Sequence, residues 1–94
     1  VEEVEFDPLK DAENRERRGL RLELAALVFE GRYVEEEDRR QDYGETRIVA
    51  TGPVEEFGGR ICVVVYTWRD GVRRIVSFRK ANDREIRKYQ ASVD

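Results

Sequence analysis

Between Arg60 and Lys80 apolar and polar positions form two β-rich runs, RICVVVYTWR and VRRIVSFRK, separated by Asp70-Gly71. Asp-Gly between such runs predicts a hairpin with a type I′ turn, because both central residues of that turn need positive φ. With these two residues as the loop, Arg69 is expected to face Val72, Tyr66 to face Ile75, Val64 to face Ser77 and Cys62 to face Arg79. Strand alternation then sorts the side chains into two sets. Ile61, Val63, Val65, Thr67, Val72, Arg74, Val76 and Phe78 form the expected core face. Cys62, Val64, Tyr66, Trp68, Arg73, Ile75, Ser77 and Arg79 form a mixed face of aromatic, hydroxyl and guanidinium groups, which a purely structural sheet does not require.

The pattern upstream is less regular. Val4 and Phe6 alternate weakly over residues 1–6 and mark a short edge strand. Asp7-Pro8 predicts a helix start, since Asp can accept from orphan N–H groups and Pro suits the first helical position. That helix is expected to run to Arg18 and stop at Gly19, with a thin apolar stripe of Leu9 and Ala12. Lys10, Asn14 and Arg18 share one of its faces at four-residue spacing. Leu20 to Phe29 predicts a second and more apolar helix, with Leu22, Ala25, Ala26 and Phe29 at three- and four-residue intervals. It is expected to stop at Gly31 and to pack on the core face of the sheet, with no good N-cap because Arg21 stands near that place.

Tyr33 to Glu37 predicts a strand, and the charge run Glu35 to Asp42 a solvated connection. Thr46 to Gly52 predicts a further strand, and Pro53 to Gly59 a turn region. After Lys80, Ala81-Asn82 breaks the strand. Asn82 and Glu85 stand at capping-box spacing before a last helix whose inner stripe is Ile86, Tyr89 and Val93. Arg84, Arg87 and Lys88 are expected to face outward. The fold class is α+β: a mainly antiparallel four- or five-stranded sheet with two N-terminal helices and a C-terminal helix, in one domain over residues 1–94.

Composition narrows the chemistry. Charged residues make up 41% of the chain against 39% hydrophobic, so the core must be lean and the surface densely charged. There is no histidine and a single cysteine, Cys62. An intramolecular disulfide, a zinc site and Ser-His or Cys-His catalysis are therefore not expected, and no metal or cofactor is called for. The lone thiol fits a reducing cytoplasm. No apolar run approaches a membrane span and no basic-then-apolar leader stands at the start, so neither membrane insertion nor a signal peptide is expected. Net charge is −3 but uneven: residues 1–65 hold 10 basic and 17 acidic side chains, and residues 66–94 hold 8 and 4. A basic C-terminal third on an acidic body can attract phosphates locally, although charge bias alone is more often an ordinary solvated surface.

Specific residues add a resemblance. Tyr66, Thr67, Arg69, then Arg74-Ile75-Val76-Ser77, Arg79-Lys80-Ala81, Glu85 and Tyr89 resemble the BrnT family, small ribonuclease toxins of type II toxin–antitoxin systems with a RelE-like fold. The likeness continues upstream in Phe6-Asp7-Pro8, Lys10, Asn14, Arg17-Arg18-Gly19, Gly44-Glu45 and Arg47. Two positions depart from it: Arg18 stands where the family has His, and Trp68 where it commonly has Glu. The resemblance implies an RNA substrate, a cognate antitoxin in a hetero-oligomer, and endoribonuclease activity.

RNA cleavage without metal requires a base for the 2′-hydroxyl, charge stabilisation at phosphorus and an acid for the leaving oxygen. Arg79 ends the mixed face beside the basic helix and is the first candidate for the scissile phosphate, since guanidinium meets phosphate oxygens in pairs. Glu85, Lys80 and Tyr66 are candidate proton carriers. Arg69, Arg74, Ser77, Tyr89, Lys10 and Arg18 are candidate substrate contacts, and Tyr66 or Trp68 could stack on a base. Several have structural alternatives: Glu85 as a helix cap, Tyr89 as a core residue, Arg74 paired to a carboxylate such as Glu23, Ser77 as a sheet hydrogen-bonder. A catalytically inactive, toxin-like interaction or RNA-binding protein is the competing class.

Overall fold

The computed structural model describes residues 3–93. Five strands form one sheet in the order β1-β5-β4-β3-β2, with β1 (Val4–Phe6), β2 (Val34–Asp38), β3 (Arg47–Val54), β4 (Arg60–Arg69) and β5 (Val72–Lys80). Strand β1 pairs with β5 in parallel, and every other pair is antiparallel. Of the expected first strand, Val1 and Glu2 lie outside the described residues. Helix α1 spans Pro8–Arg18, a 3-10 segment spans Leu22–Glu30 and helix α2 spans Asp83–Val93. No helix of the described residues is long and apolar enough to cross a membrane.

The hairpin turn forms as its sequence predicts, with φ of 53° at Asp70 and 77° at Gly71. Arg69 faces Val72 and Tyr66 faces Ile75, as expected. Beyond Tyr66 the register shifts. Val65 pairs with Ser77, Val64 with Phe78 and Cys62 with Lys80, so Val76 is an extra residue on β5. The expected Val64–Ser77 and Cys62–Arg79 pairings are therefore incorrect. A β-bulge inserts one residue, and one residue of slip moves every later side chain to the opposite face.

The assignment of faces is also corrected. Cys62, Val64, Tyr66, Ile75 and Phe78 are all buried against the 3-10 segment, together with Ala50 and Val54. The set expected to be mixed thus supplies most of the core face, and Phe78 joins it because of the bulge. Aromatic and aliphatic bulk decided the matter: Tyr66 and Phe78 are the two largest fully buried side chains.

Leu22–Glu30 is wound as a 3-10 segment rather than the expected α-helix. In a 3-10 helix residues three apart eclipse one another. Leu22, Ala25 and Val28 follow that period, and all three are completely buried. Arg21 supplies no side-chain cap, as its identity predicts.

Helix α1 begins and ends as read, with the Asp7 carboxylate accepting from the Leu9 N–H and Gly19 left-handed at φ 72°. Its anchoring is polar rather than apolar. Leu9 is 75% exposed, whereas Asn14 is buried. The Asn14 amide donates to the Leu20 and Phe78 carbonyls at 2.8 Å and accepts from the Phe78 N–H at 3.1 Å. One side chain thus continues the edge of β5 where β1 has ended, as a neighbouring strand would. The Asp11 carboxylate accepts from the Leu22 N–H at 2.8 Å and holds the start of the 3-10 segment.

Candidate functional site

The face of the sheet opposite the 3-10 segment is only partly covered. Helix α2 leans over β2 and β3 there, and its Tyr89 is buried, donating its hydroxyl to the Arg32 carbonyl. Its N-terminus is a capping box of the expected spacing: the Glu85 N–H donates to Asn82 at 2.9 Å, and the Asn82 N–H donates to the Glu85 carboxylate at 3.0 Å.

The bulge brings Arg79 to this open face. Its two terminal nitrogens donate to the two Glu85 oxygens at 2.7 Å each, a planar two-pronged pair. Both side chains remain about a quarter exposed. The guanidinium holds the Glu85 carboxyl below its usual range, and Glu85 in turn raises Arg79. Glu85 is therefore ionised at neutral pH, which suits a base and not an acid. Its capping role and its pairing with Arg79 are one arrangement, since the same carboxylate serves both.

Only some of the other sequence candidates are brought near this pair. Ser77 lies two residues from Arg79 on the same face, opposite Val65. Lys80 is exposed at the end of β5, but it pairs with Cys62 and so stands on the face opposite Arg79. Arg74 lies nearer the turn, opposite Thr67, and its partner is Glu5 of β1 at 3.6 Å, not Glu23. Arg69 is exposed at the hairpin tip. It is six positions along β4 from Val63, the residue opposite Arg79, or about 20 Å at strand rise. Lys10 and Arg18 are exposed on α1, one turn either side of the buried Asn14.

Tyr66 is not brought to this site. It is completely buried on the other face, where its hydroxyl bonds to Glu35 and burial pushes its pKa far up. Trp68 and Arg73 share that face. The Arg73 guanidinium sits 3.9 Å from the Phe29 ring centroid, 4.7 Å from Trp68 and 5.2 Å from Tyr66, and it donates to the Tyr33 hydroxyl at 3.3 Å. Trp68 is half exposed and meets Tyr66 edge-on. Cys62 is a packed thiol whose pKa is raised by burial.

The charge run at the end of β2 holds residues that sequence reasoning passed over. Asp38 is buried, and Arg40 donates to its two oxygens through Nε and Nη2 at 2.9 Å each, with the Tyr43 hydroxyl at 3.0 Å. The Asp38 carboxyl is accordingly held far below its ordinary range, chiefly by Arg40. Arg47 lies 4.1 Å from the Tyr43 ring centroid. What was read as a solvated connection thus begins as an ordered knot that fixes Arg40 at the rim of the open face. The Asp38-x-Arg40 spacing at a strand end was the available signal, and the surrounding run of charges masked it.

A groove of about 480 Å³ lies between α2 and strands β2 and β3, with Arg40, Lys88 and Glu85 on its rim. Lys88 bridges to Glu36 across it at 2.7 Å. Chemically the arrangement offers a guanidinium able to grip two oxygens, an ionised carboxylate beside it, and further cations within the same face.

Compared with known protein families, residues 6–85 match the model of a family described as the ribonuclease toxin BrnT of type II toxin–antitoxin systems. No curated protein matches the chain.

Proposed function

Because this chain belongs to the BrnT family of ribonuclease toxins of type II toxin–antitoxin systems, we propose that it cleaves RNA without a metal and is silenced by a cognate antitoxin. The observation that carries this reading is the two-pronged Arg79–Glu85 pair on the open face. A phosphate presents oxygens to a guanidinium much as a carboxylate does, so the pair marks a seat that a phosphodiester fits.

In this mechanism the phosphate takes the place of Glu85 on Arg79. The carboxylate, still tethered to the Asn82 N–H, then loses the neighbour that depresses it and becomes a stronger base. It removes the proton of the 2′-hydroxyl. The 2′-oxygen bonds to phosphorus, and the bond from phosphorus to the 5′-oxygen breaks. Lys80 pairs with Cys62 and so leaves the sheet from the opposite face, and the leaving oxygen takes its proton from a solvent water, giving a 2′,3′-cyclic phosphate and a 5′-hydroxyl. Arg79 stabilises the charge that develops on the phosphoryl oxygens. Ser77, Arg74 and Tyr89 contact the nucleotides near the scissile bond, while Arg69, Lys10 and Arg18 attract more distant phosphates.

The metal-free reading rests on the residue inventory, which has no histidine and one cysteine. Cleavage by the purified protein is expected to persist in EDTA and to leave 2′,3′-cyclic or 3′-phosphate ends. Loss of activity on chelation, restored by magnesium, would sink the mechanism. A second reading, a toxin-like protein that binds without cleaving, is favoured by the closure of Arg79 on Glu85. Under it, RNA is retained intact and Arg79 never exchanges partners. The antitoxin is expected to cover the basic face, as charge complementarity favours, and the protein is expected to work in the cytoplasm.

A further inference from the structure

The groove beside α2 has a different character from the Arg79 seat. Its floor is formed by Val34, Val49 and Thr51, with Tyr89 on the helix side and Arg40, Lys88, Glu36 and Glu85 at the rim. Thr51 faces Val63, and Val63 faces Arg79 across three adjacent strands. Two strand spacings put Thr51 about 10 Å from Arg79 along the sheet, roughly one nucleotide from the phosphate seat. The groove volume of about 480 Å³ falls within the range of roughly 300–1,000 Å³ usual for small-ligand sites.

We propose that this groove is a subsite for the unpaired nucleobase next to the scissile phosphate, with its base on the Val34–Val49–Thr51 floor and its flanking phosphate between Arg40 and Arg79. The inference deepens the ribonuclease reading and rests on it. Three observations select a nucleotide as the occupant. Val34, Val49 and the Tyr89 ring give the groove apolar surface for the face of a base, and Arg40, Arg84 and Lys88 line it together with the carboxylates of Glu36 and Glu85. Arg40 is held in place by Asp38 through Nε and Nη2, so its charge is positioned before any ligand arrives. Arg40 and Glu85, the partner of Arg79, line the same groove, so one phosphodiester unit can lie between the two guanidinium groups. The Lys88–Glu36 bridge spans the entrance with both side chains more than half exposed, and an ion pair so exposed is easily opened.

The test uses short single-stranded RNA carrying a 2′-O-methyl group at the mapped cleavage site, intact or with an abasic residue on either side. Equilibrium binding is measured for the native protein and for Val34→Trp, which fills the floor from an edge strand where an aromatic residue is well tolerated. Removing the base at one of the two positions is expected to weaken native binding about tenfold, the size of one base contact. Val34→Trp should weaken binding of intact RNA by a similar factor and show no further loss with the abasic RNA. If the two losses multiply, or if Val34→Trp binds intact RNA like the native protein, the subsite is overturned. Should Val34→Trp lower the thermal melt, Ser92→Trp fills the same groove from the exposed side of α2. RNA that is cleaved with no base dependence overturns the subsite and leaves the ribonuclease reading intact. Base-dependent binding without cleavage of ordinary RNA does the reverse. No binding of RNA at all overturns both.

Discussion

Arg73 and Arg79 stand six residues apart on the same strand and meet opposite surroundings. By simple alternation they would share a face. Arg73 lies before the bulge and is packed among Phe29, Tyr66 and Trp68 on the core side. Arg79 lies after it and reaches the open side, where it grips Glu85 and remains in contact with solvent. The single extra residue, Val76, separates a guanidinium that closes the core from one that can receive a phosphate. The same slip turns Phe78 inward to fill the space that Arg79 would have occupied. Bulges are known to re-aim side chains next to functional sites, and here the re-aimed residue is the one on which the proposed chemistry depends.

The contrast between the two faces can be broken most severely at Phe78. Phe78→Ala is expected to cost about 3–5 kcal/mol, the usual range for a fully buried aromatic ring. Val65→Ala, on the other face opposite Ser77, should cost about 1 kcal/mol. Urea unfolding midpoints of the two variants compare them directly. Equal losses would mean that the core face has been misassigned.

Asn14→Ala comes next, at about 2–3 kcal/mol. It leaves the N–H and carbonyl of Phe78 and the carbonyl of Leu20 without their partner in a buried place. Hydrogen exchange at the Phe78 amide should accelerate more than at the Ile75 amide, and uniform acceleration would argue against a local role. Asn14 therefore sharpens the comparison from the edge of the strand, since it holds the segment that follows the bulge.

The smallest effect concerns Glu85. Its folded pKa is depressed, so its contribution to stability is present above the unfolded value near 4.3 and is lost as pH falls through the folded value. Glu85→Gln keeps a capping residue at that position and removes the charge. The variant is expected to lose less than about 1 kcal/mol at pH 7 and to show a shallower decline in melting temperature below pH 4.3 than the native protein. Parallel pH profiles would show that the pair with Arg79 contributes nothing to stability.

Local signals in the sequence carried much of the fold. Asp70-Gly71, Asp7-Pro8, Gly19 and the Asn82/Glu85 box each specify a turn or cap through the chemistry of one or two residues, and each formed as read. The bulge at Val76 has no such marker, because a β-branched residue suits a paired or an unpaired strand position equally. The reversal of faces follows from it in part. The rest arises because two faces carry apolar residues on β4, Cys62, Val63 and Val64 all being buried, so alternation alone could not say which side the 3-10 segment would cover. Asn14 was read only as one member of a helix face, since a sequence does not show that an amide will stand in for a missing strand. Among the candidates, Ser77 and Arg79 share a face as alternation predicts, but it is the face opposite Tyr66 and not the one expected to carry all three. Arg40 was not legible, because its role depends on the buried carboxylate of Asp38, two residues away in a run of charges.

The central claim is that Arg79, and not Arg73, meets the scissile phosphate. Single-turnover cleavage rates with thermal melts for Arg79→Ala, Arg79→Lys and Arg73→Met test it most directly. Arg79→Ala is predicted to lower the rate about a hundredfold or more, as removal of a transition-state donor does, while its melt stays close to the native value. Arg79→Lys should recover only part of the rate, because an ammonium group cannot supply the two-pronged contact. Arg73→Met, with a flexible apolar chain among the same rings, should change the melt and leave the rate of the folded protein near native. A native cleavage rate in Arg79→Ala, or a hundredfold loss in a well-folded Arg73→Met, would contradict the account.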